Sequence, residues 1–442
     1  MLKRIRIQNY KSLKDVEVHL ERLTVLFGSN AVGKSNFLDA LQFLARIVSS
    51  RTIKTAFDPP YRGKPLESFT MDSGGLERNL EKESMTFSME VDVEISEAVI
   101  DKVHKQINDM RENTPDARQG KPSRNPQPIR ERFLRYKVEV EILPKTGVLR
   151  IADESLESLT AQGEVSGARK AFLSRDATNN RLHLRMEGQA HPRYFDLGLD
   201  HSILSLPHYV PYYPHIVAFR EEVSQYAFFY FEPRERMRNT CSLRENRQVG
   251  AMGEDLPSFL NTLKHANPLQ FQGIENTLRE IVPSITGIEV KPNQFGEVDL
   301  WLKEGDQLMS ARVVSEGTLR ILGLLAIFGT KDCPSLVGFE EPENGIPPRQ
   351  IKMIAEMLQA KAERNLQIVV TTHSAILPDY LPNKSLFPCR KVDGVTRIVP
   401  LQRALPLFKK MEINEVLDEL SMTEMRDRLP ISQRMIRGDF DD

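Results

Sequence analysis

Charged and apolar residues alternate from Leu2 to Ile7. They alternate again where Val16, Val18 and Leu20 are spaced by Glu17 and His19. A period of two predicts two β-strands. Leu23-Thr24-Val25-Leu26-Phe27 is almost wholly apolar, which predicts a strand covered on both faces, as in the core of a parallel sheet. The run leads directly into Gly28-Ser29-Asn30-Ala31-Val32-Gly33-Lys34-Ser35, and beyond it Phe37, Leu41, Leu44 and Val48 recur at helical spacing with Leu38 beside them. Residues 85–95 alternate throughout, with Met85, Phe87, Met89, Val91, Val93 and Ile95 on one face. Residues 134–142 do the same through Leu134, Tyr136, Val138, Val140 and Ile142. Both segments read as half-buried antiparallel strands, and a third short strand near Val148–Ile151 extends the set.

Further along, Ser96 to Arg111 has the pattern of a helix, and 119–128 is a proline-rich loop. Residues 152–205 carry no legible period. Pro207, Pro211 and Pro214 preclude a long helix. Phe228-Phe229-Tyr230-Phe231 reads as a buried strand, and Arg234, Arg236 and Arg238 after it as an exposed charged loop. An amphipathic helix is expected over 255–264 through Leu256, Phe259, Leu260 and Leu263. Another is expected over 411–420 through Met411, Ile413, Val416, Leu417 and Leu420, packed on its own domain or docking a partner. Heptads sustained over three or four repeats do not occur.

The segment G-x-x-x-x-G-K-S between a strand and a helix is suited to a nucleotide. Its glycines let backbone N–H groups curl around phosphate oxygens, and the helix N-terminus adds partial positive charge. Lys34 would reach the β- and γ-phosphates and the Ser35 hydroxyl would ligate Mg²⁺. The expected nucleotide-binding stretch is Gly28, Ser29, Asn30, Ala31, Val32, Gly33, Lys34, Ser35 and Asn36. Val314-Ser315-Glu316-Gly317-Thr318-Leu319-Arg320 opens an apolar helix. Ser315 is a natural N-cap and Gly317 leaves N–H groups bare, so this is either a second anion site or an ordinary capped core helix. Leu336-Val337-Gly338-Phe339 is a short buried strand ending in Glu340-Glu341-Pro342-Glu343-Asn344-Gly345. Adjacent carboxylates at such a strand end are costly unless they serve a cation or a proton. Glu340 is placed to hold Mg²⁺ through water, and Glu341 to orient and deprotonate the attacking water. Gln367-Ile368-Val369-Val370-Thr371-Thr372 is a further buried strand, followed by His373-Ser374.

The ordered set GSNAVGKSN, SEGTLR, GFEEPENG and TTHS resembles the ABC-type ATPases of the SMC, RecF and OLD kind. The resemblance covers residues 1–50 and 285–385. It implies an α/β ABC-type ATPase head with a mixed or parallel core sheet flanked by helices, here with an inserted β-rich α+β region. In its terms Gly28–Ser35 looks like Walker A, Ser315–Arg320 like the signature, Glu340 and Glu341 like Walker B with the catalytic Glu, Asn344-Gly345 like the D-loop, and His373 like the switch histidine. Glu340 departs from the family's usual Asp, Pro347-Pro348 from the His-Pro common in OLD-like chains, and no Q-loop glutamine can be assigned. The resemblance implies ATP and Mg²⁺ as cofactors, and a homodimer in which Ser315 and Gly317 of one protomer close over the γ-phosphate held by the other.

Length and charge refine this picture. A chain of 442 residues accommodates two or three domains. The boundaries expected are 1–60 for an N-terminal ATPase lobe, 61–250 for the insertion, 251–400 for a C-terminal ATPase lobe and 401–442 for a helical tail. Lys plus Arg number 60 against 61 Asp plus Glu, which disfavours a protein that coats polyanions but allows a local basic patch. Residues 102–135 hold nine basic and four acidic side chains. They could meet a nucleic-acid backbone, although the lack of interleaved aromatics before Phe133 favours a solvated loop. No apolar run reaches the roughly 18 residues that span a bilayer, and the N-terminus does not read as a signal peptide. Cys241, Cys333 and Cys389 form neither a disulfide framework nor a CxxC pair, which suits the cytoplasm. Asp439-Phe440-Asp441 reads as a solvated tail rather than a metal site.

The missing heptads disfavour SMC arms, and no fused TOPRIM domain is legible. The expected function is an ATPase that gates a nucleic-acid-linked process, in DNA repair or anti-phage defence, with a separate nuclease-like effector chain, possible DNA contact and no membrane. The alternative is the nucleotide-binding subunit of a membrane transporter. A P-loop phosphotransferase is disfavoured because it needs neither a signature helix nor a histidine after the strand.

Overall fold

A computed structural model describes residues 1–71, 74–112, 129–167, 171–176, 178–189, 191–329, 334–364, 366–404, 429–438 and 440. The proline-rich loop, the 411–420 helix, Cys333, Asp439 and Asp441 lie outside the described residues. The chain forms two compact units. One comprises Met1–Glu21, Asn36–Tyr226 and Lys391–Ile398, and the other Arg22–Ser35, Ala227–Arg390 and Val399–Asp442.

The first unit is built on an antiparallel sheet. Its described strands are β1 (Leu2–Tyr10), β2 (Leu13–His19), β4 (Met85–Glu94), β5 (Phe133–Leu143), β6 (Val148–Ser158), β7 (Leu173–Asp176), β8 (Arg181–Leu184) and β9 (Arg193–Asp196). They lie in the order β2-β1-β4-β5-β6-β7-β8-β9. The register sets Ile5 opposite Val91 and Val91 opposite Tyr136, all buried. The same register aligns charges on the other face. Arg4 faces Asp92, Asp92 faces Arg135, and the Arg135 guanidinium bonds both Asp92 oxygens at 2.6 and 2.7 Å. Each alternating sequence thus supplies a wall of the core and a cross-strand ion ladder. Helix α1 (Lys34–Ile47) supplies Phe43, whose ring packs 4.6 Å from Phe57 and 5.4 Å from Phe87. Helices α2 (Glu97–Glu112) and α3 (Pro214–Ser224) complete the unit.

The third strand runs well past the expected Ile151. In its middle Glu154 is fully buried, accepting from the Tyr136 and Ser202 hydroxyls and from the Ile203 N–H at 2.8 Å. Burial pushes this carboxyl upward from its usual pKa. An acid turned into the core breaks the apolar–polar alternation from which the strand would otherwise be read.

The second unit holds a parallel sheet of β3 (Leu23–Phe27), β10 (Ala227–Phe229), β15 (Leu336–Glu340), β16 (Gln367–Thr372) and β17 (Leu386–Val392), in the order β10-β15-β16-β3-β17. All five residues of β3 and all six of β16 are buried, as strands covered on both faces require. A smaller antiparallel sheet contains β11 (Cys241–Ser242), β12 (Ile285–Pro292), β13 (Glu297–Glu304) and β14 (Gln307–Ser310). Helices α4 (Leu256–Ala266), α5 (Pro268–Ile281), α6 (Glu316–Phe328) and α7 (Pro348–Glu363) flank them. Helix α6 is buried along its whole length from Gly317 to Phe328, and its Phe328 meets Phe339 of β15 edge-on at 5.4 Å. Among the described residues no helix is long and apolar enough to cross a membrane.

Candidate nucleotide site

In an open parallel sheet, loops at the carboxyl ends of the strands form the natural crevice for a ligand. Here β3, β15 and β16 end side by side. Thr372 pairs with Phe27, and Glu340 pairs with Thr371. The loop after β3 then makes its turn with Gly28 at φ 147°, Ala31 at φ 62° and Gly33 at φ 102°. Gly28 is obligatory for a second reason, because a Cβ there would lie 2.4 Å from the Cys389 carbonyl oxygen of β17. Ser29, Asn30 and Ala31 are exposed at the crest, Val32 is buried, and Gly33, Ser35 and Asn36 are half-buried.

Lys34 is 5 % exposed. Its ammonium folds back onto the loop, donating to the Gly28 carbonyl at 2.8 Å and the Ser29 carbonyl at 2.7 Å. Burial lowers its pKa, opposed by the negative field of Glu341, Glu340 and Glu343. The Ser35 hydroxyl donates directly to Glu340 Oε1. Glu341 adopts a left-handed backbone at φ 50°, a conformation that costs a non-glycine residue on the order of 1 kcal/mol. Its own N–H holds it there by bonding the Thr371 carbonyl at 2.9 Å. The Glu341 carboxylate accepts from the His373 ring at 2.5 Å and from the His373 N–H at 3.2 Å. Five of the expected residues therefore meet at one place: Lys34, Ser35, Glu340, Glu341 and His373.

Ser315 and Gly317 form a second cluster. Ser315 is exposed and caps α6, its Oγ accepting the Thr318 N–H at 3.2 Å. Gly317 is buried, and a Cβ on it would meet the Gly345 carbonyl at 2.5 Å. The glycine thus admits the Asn344-Gly345 turn against the helix. Arg320, one turn further on, bonds the carbonyls of Asn344 and of Phe231.

Some residues of the site were not singled out from the sequence. Glu343, the third acid of the run, is buried and bonded by the Thr372 hydroxyl. Phe440 is also buried rather than part of a solvated tail. It stacks edge-on against Phe27 at 5.1 Å, beneath the Arg434 guanidinium. With Gly28, Ser29, His373, Met435 and Ile436 it borders a cavity of about 200 Å³ beside the phosphate loop.

Residues 1–138 match the AAA ATPase domain family. Residues 220–378 match the AAA domain family described as a putative AbiEii toxin of a Type IV TA system. The DNA replication and repair protein RecF of Bacteroides thetaiotaomicron is 49 % identical over 51 residues, 11 % of this chain and 14 % of that protein. RecF of Bacteroides fragilis is 50 % identical over 46 residues, 10 % of this chain and 12 % of that protein. The match therefore spans only a small part of either relative. An SMC head solved in complex with the C-winged helix domain of ScpA superposes with a TM-score of 0.50 at 12 % identity, covering 91 % of this chain and 99 % of that one. That likeness concerns the fold. The first family match contains the phosphate loop, and the second contains SEGTLR, the paired glutamates and His373; together with the RecF identity and this fold they support an SMC/RecF-like P-loop ATPase.

Proposed function

We propose that this chain hydrolyses ATP with Mg²⁺, closes as a head-to-tail homodimer around two nucleotides, and gates a nucleic-acid-linked process through a separate nuclease-like effector in DNA repair or antiviral defence. The observation that carries the reading is the convergence of Lys34, Ser35, Glu340, Glu341 and His373 at the ends of neighbouring parallel strands. Lys34 exchanges its two carbonyl partners for the β- and γ-phosphate oxygens. Ser35 and Glu340 fit Mg²⁺ by donor chemistry: two hard oxygens already lie in contact, and phosphate oxygens and water would supply the remaining ligands. The ion, when bound, neutralises charge on the phosphates. Glu341 takes a proton from the attacking water, and His373 holds that carboxylate while facing the γ-phosphate. The exposed Ser315 end of α6 supplies N–H donors to the γ-phosphate bound by the partner protomer. The RecF relatives by their name, and the SMC head by its winged-helix companion, support a role near DNA with a protein partner.

The test is a pair of variants. Lys34→Ala should lose nucleotide binding in calorimetry. Glu341→Gln should bind ATP, fail to turn it over and accumulate as a dimer in light scattering, whereas wild-type turnover by Glu341→Gln overturns the base assignment. Co-expression with genomic neighbours addresses the pathway. A nuclease-like chain that co-elutes supports the proposal, and an integral membrane protein that co-elutes replaces it with the transporter reading.

A further inference from the structure

The function proposed above leaves one acid of the site without a task. Glu343 turns inward and is 5 % exposed, while the Glu341 side chain keeps 21 % of its surface. One Glu343 oxygen, Oε1, accepts the Thr372 hydroxyl. The other, Oε2, is buried and has no hydrogen-bond partner. The Thr372 oxygen in turn accepts the Ser374 N–H at 2.8 Å, so Glu343 is joined to the segment that carries His373. An ionised carboxylate with a bare buried oxygen is unfavourable. Burial, together with the neighbouring Glu341 carboxylate, pushes the Glu343 pKa up to about 7. The charged groups around it do not reverse this. Lys34 of α1 and Arg320 of α6 lie within its field but spend their hydrogen bonds on backbone carbonyls, and His373 is engaged by Glu341. A neutral acid has a single O–H. With Oε1 already an acceptor, that proton belongs on Oε2, and the Glu341 carboxylate is the acceptor at hand.

We propose that Glu343 is a positioning residue for Glu341: its Oε2 hydroxyl donates to the Glu341 carboxylate and, together with His373, fixes the base toward the attacking water. The inference rests on the reading of Glu341 as the base. Glu343 keeps its proton throughout, and the proton of the water goes to Glu341.

The experiment compares Glu343→Ala, Glu343→Gln and Glu341→Gln by ATPase kinetics, nucleotide affinity and infrared difference spectroscopy. Glu343→Ala should lower kcat by about ten- to a hundredfold, with KM and nucleotide affinity held within about twofold. Glu343→Gln retains an N–H donor that cannot ionise. It should keep most of kcat and lose the alkaline decline that the wild type shows as Glu343 gives up its O–H. At neutral pH the wild type should show a carboxylic-acid C=O band that Glu343→Gln lacks. Wild-type kcat in Glu343→Ala with an inactive Glu341→Gln overturns the positioning role and leaves the base in place. An active Glu341→Gln overturns the base itself. A Glu343→Gln as slow as Glu343→Ala, or a band that persists in it, overturns the donor. Should Glu343→Ala fail to fold, the isosteric Glu343→Gln and the band decide the matter alone.

Discussion

Buried charge is the strongest constraint on single residues in this site, and pH is the means of measuring it. Glu343 has a folded pKa of about 7 against an ordinary value of 4.5, so between these values the native chain binds a proton that the unfolded chain has released. Stability from this group is fully present below about pH 4.5 and is lost as pH rises through about 7. Urea denaturation of Glu343→Gln should therefore decline less across that window than the wild type, and parallel profiles would show that Glu343 is ionised in the native state. The difference from its neighbours also shows what the sequence discloses. The residues from Gly28 to Ser35 are legible because their chemistry is consecutive and local. Glu343 is not, because nothing within the acidic run says which carboxylate turns inward. That choice is made by Thr372, 29 positions away.

Elements were legible where burial was uniform and obscure where it was mixed. The apolar runs of β3, β15 and β16 and the alternation of β4 and β5 correspond to strands at the expected places. β7, β8 and β9 have four residues each, too few for a period to accumulate along them. Helix α6 was legible as an element, but the purpose of its first turn was not, since a capped core helix and an anion site require the same Ser315. The variant Ser315→Ala separates them. Loss of a cap costs about 1 kcal/mol of stability and should leave a folded chain with near-normal hydrolysis. If Ser315 also contacts the partner's γ-phosphate, turnover should fall at least tenfold beyond any thermal effect, because a donor aimed at developing charge is worth more than a cap. Equal small losses in both measurements would reduce Ser315 to a cap.

At the scale of the whole molecule, the phosphate loop and the SEGTLR turn fall in one compact unit, yet they form separate hydrogen-bonded clusters within it. In the proposed head-to-tail homodimer the two halves of a site are supplied by different chains. Lys34→Ala destroys the phosphate loop and spares the signature turn, while Ser315→Arg does the reverse. Each variant alone should be inactive. When they are mixed, a heterodimer pairs the sound loop of one chain with the sound turn of the other at one of its two sites. Random pairing places half of the chains in such heterodimers, so about a quarter of wild-type turnover should return if the two sites act independently. An inactive mixture whose heterodimers are demonstrated by affinity-tag capture would mean that each chain completes its own site. Activity in Ser315→Arg alone would mean that the turn never meets the nucleotide.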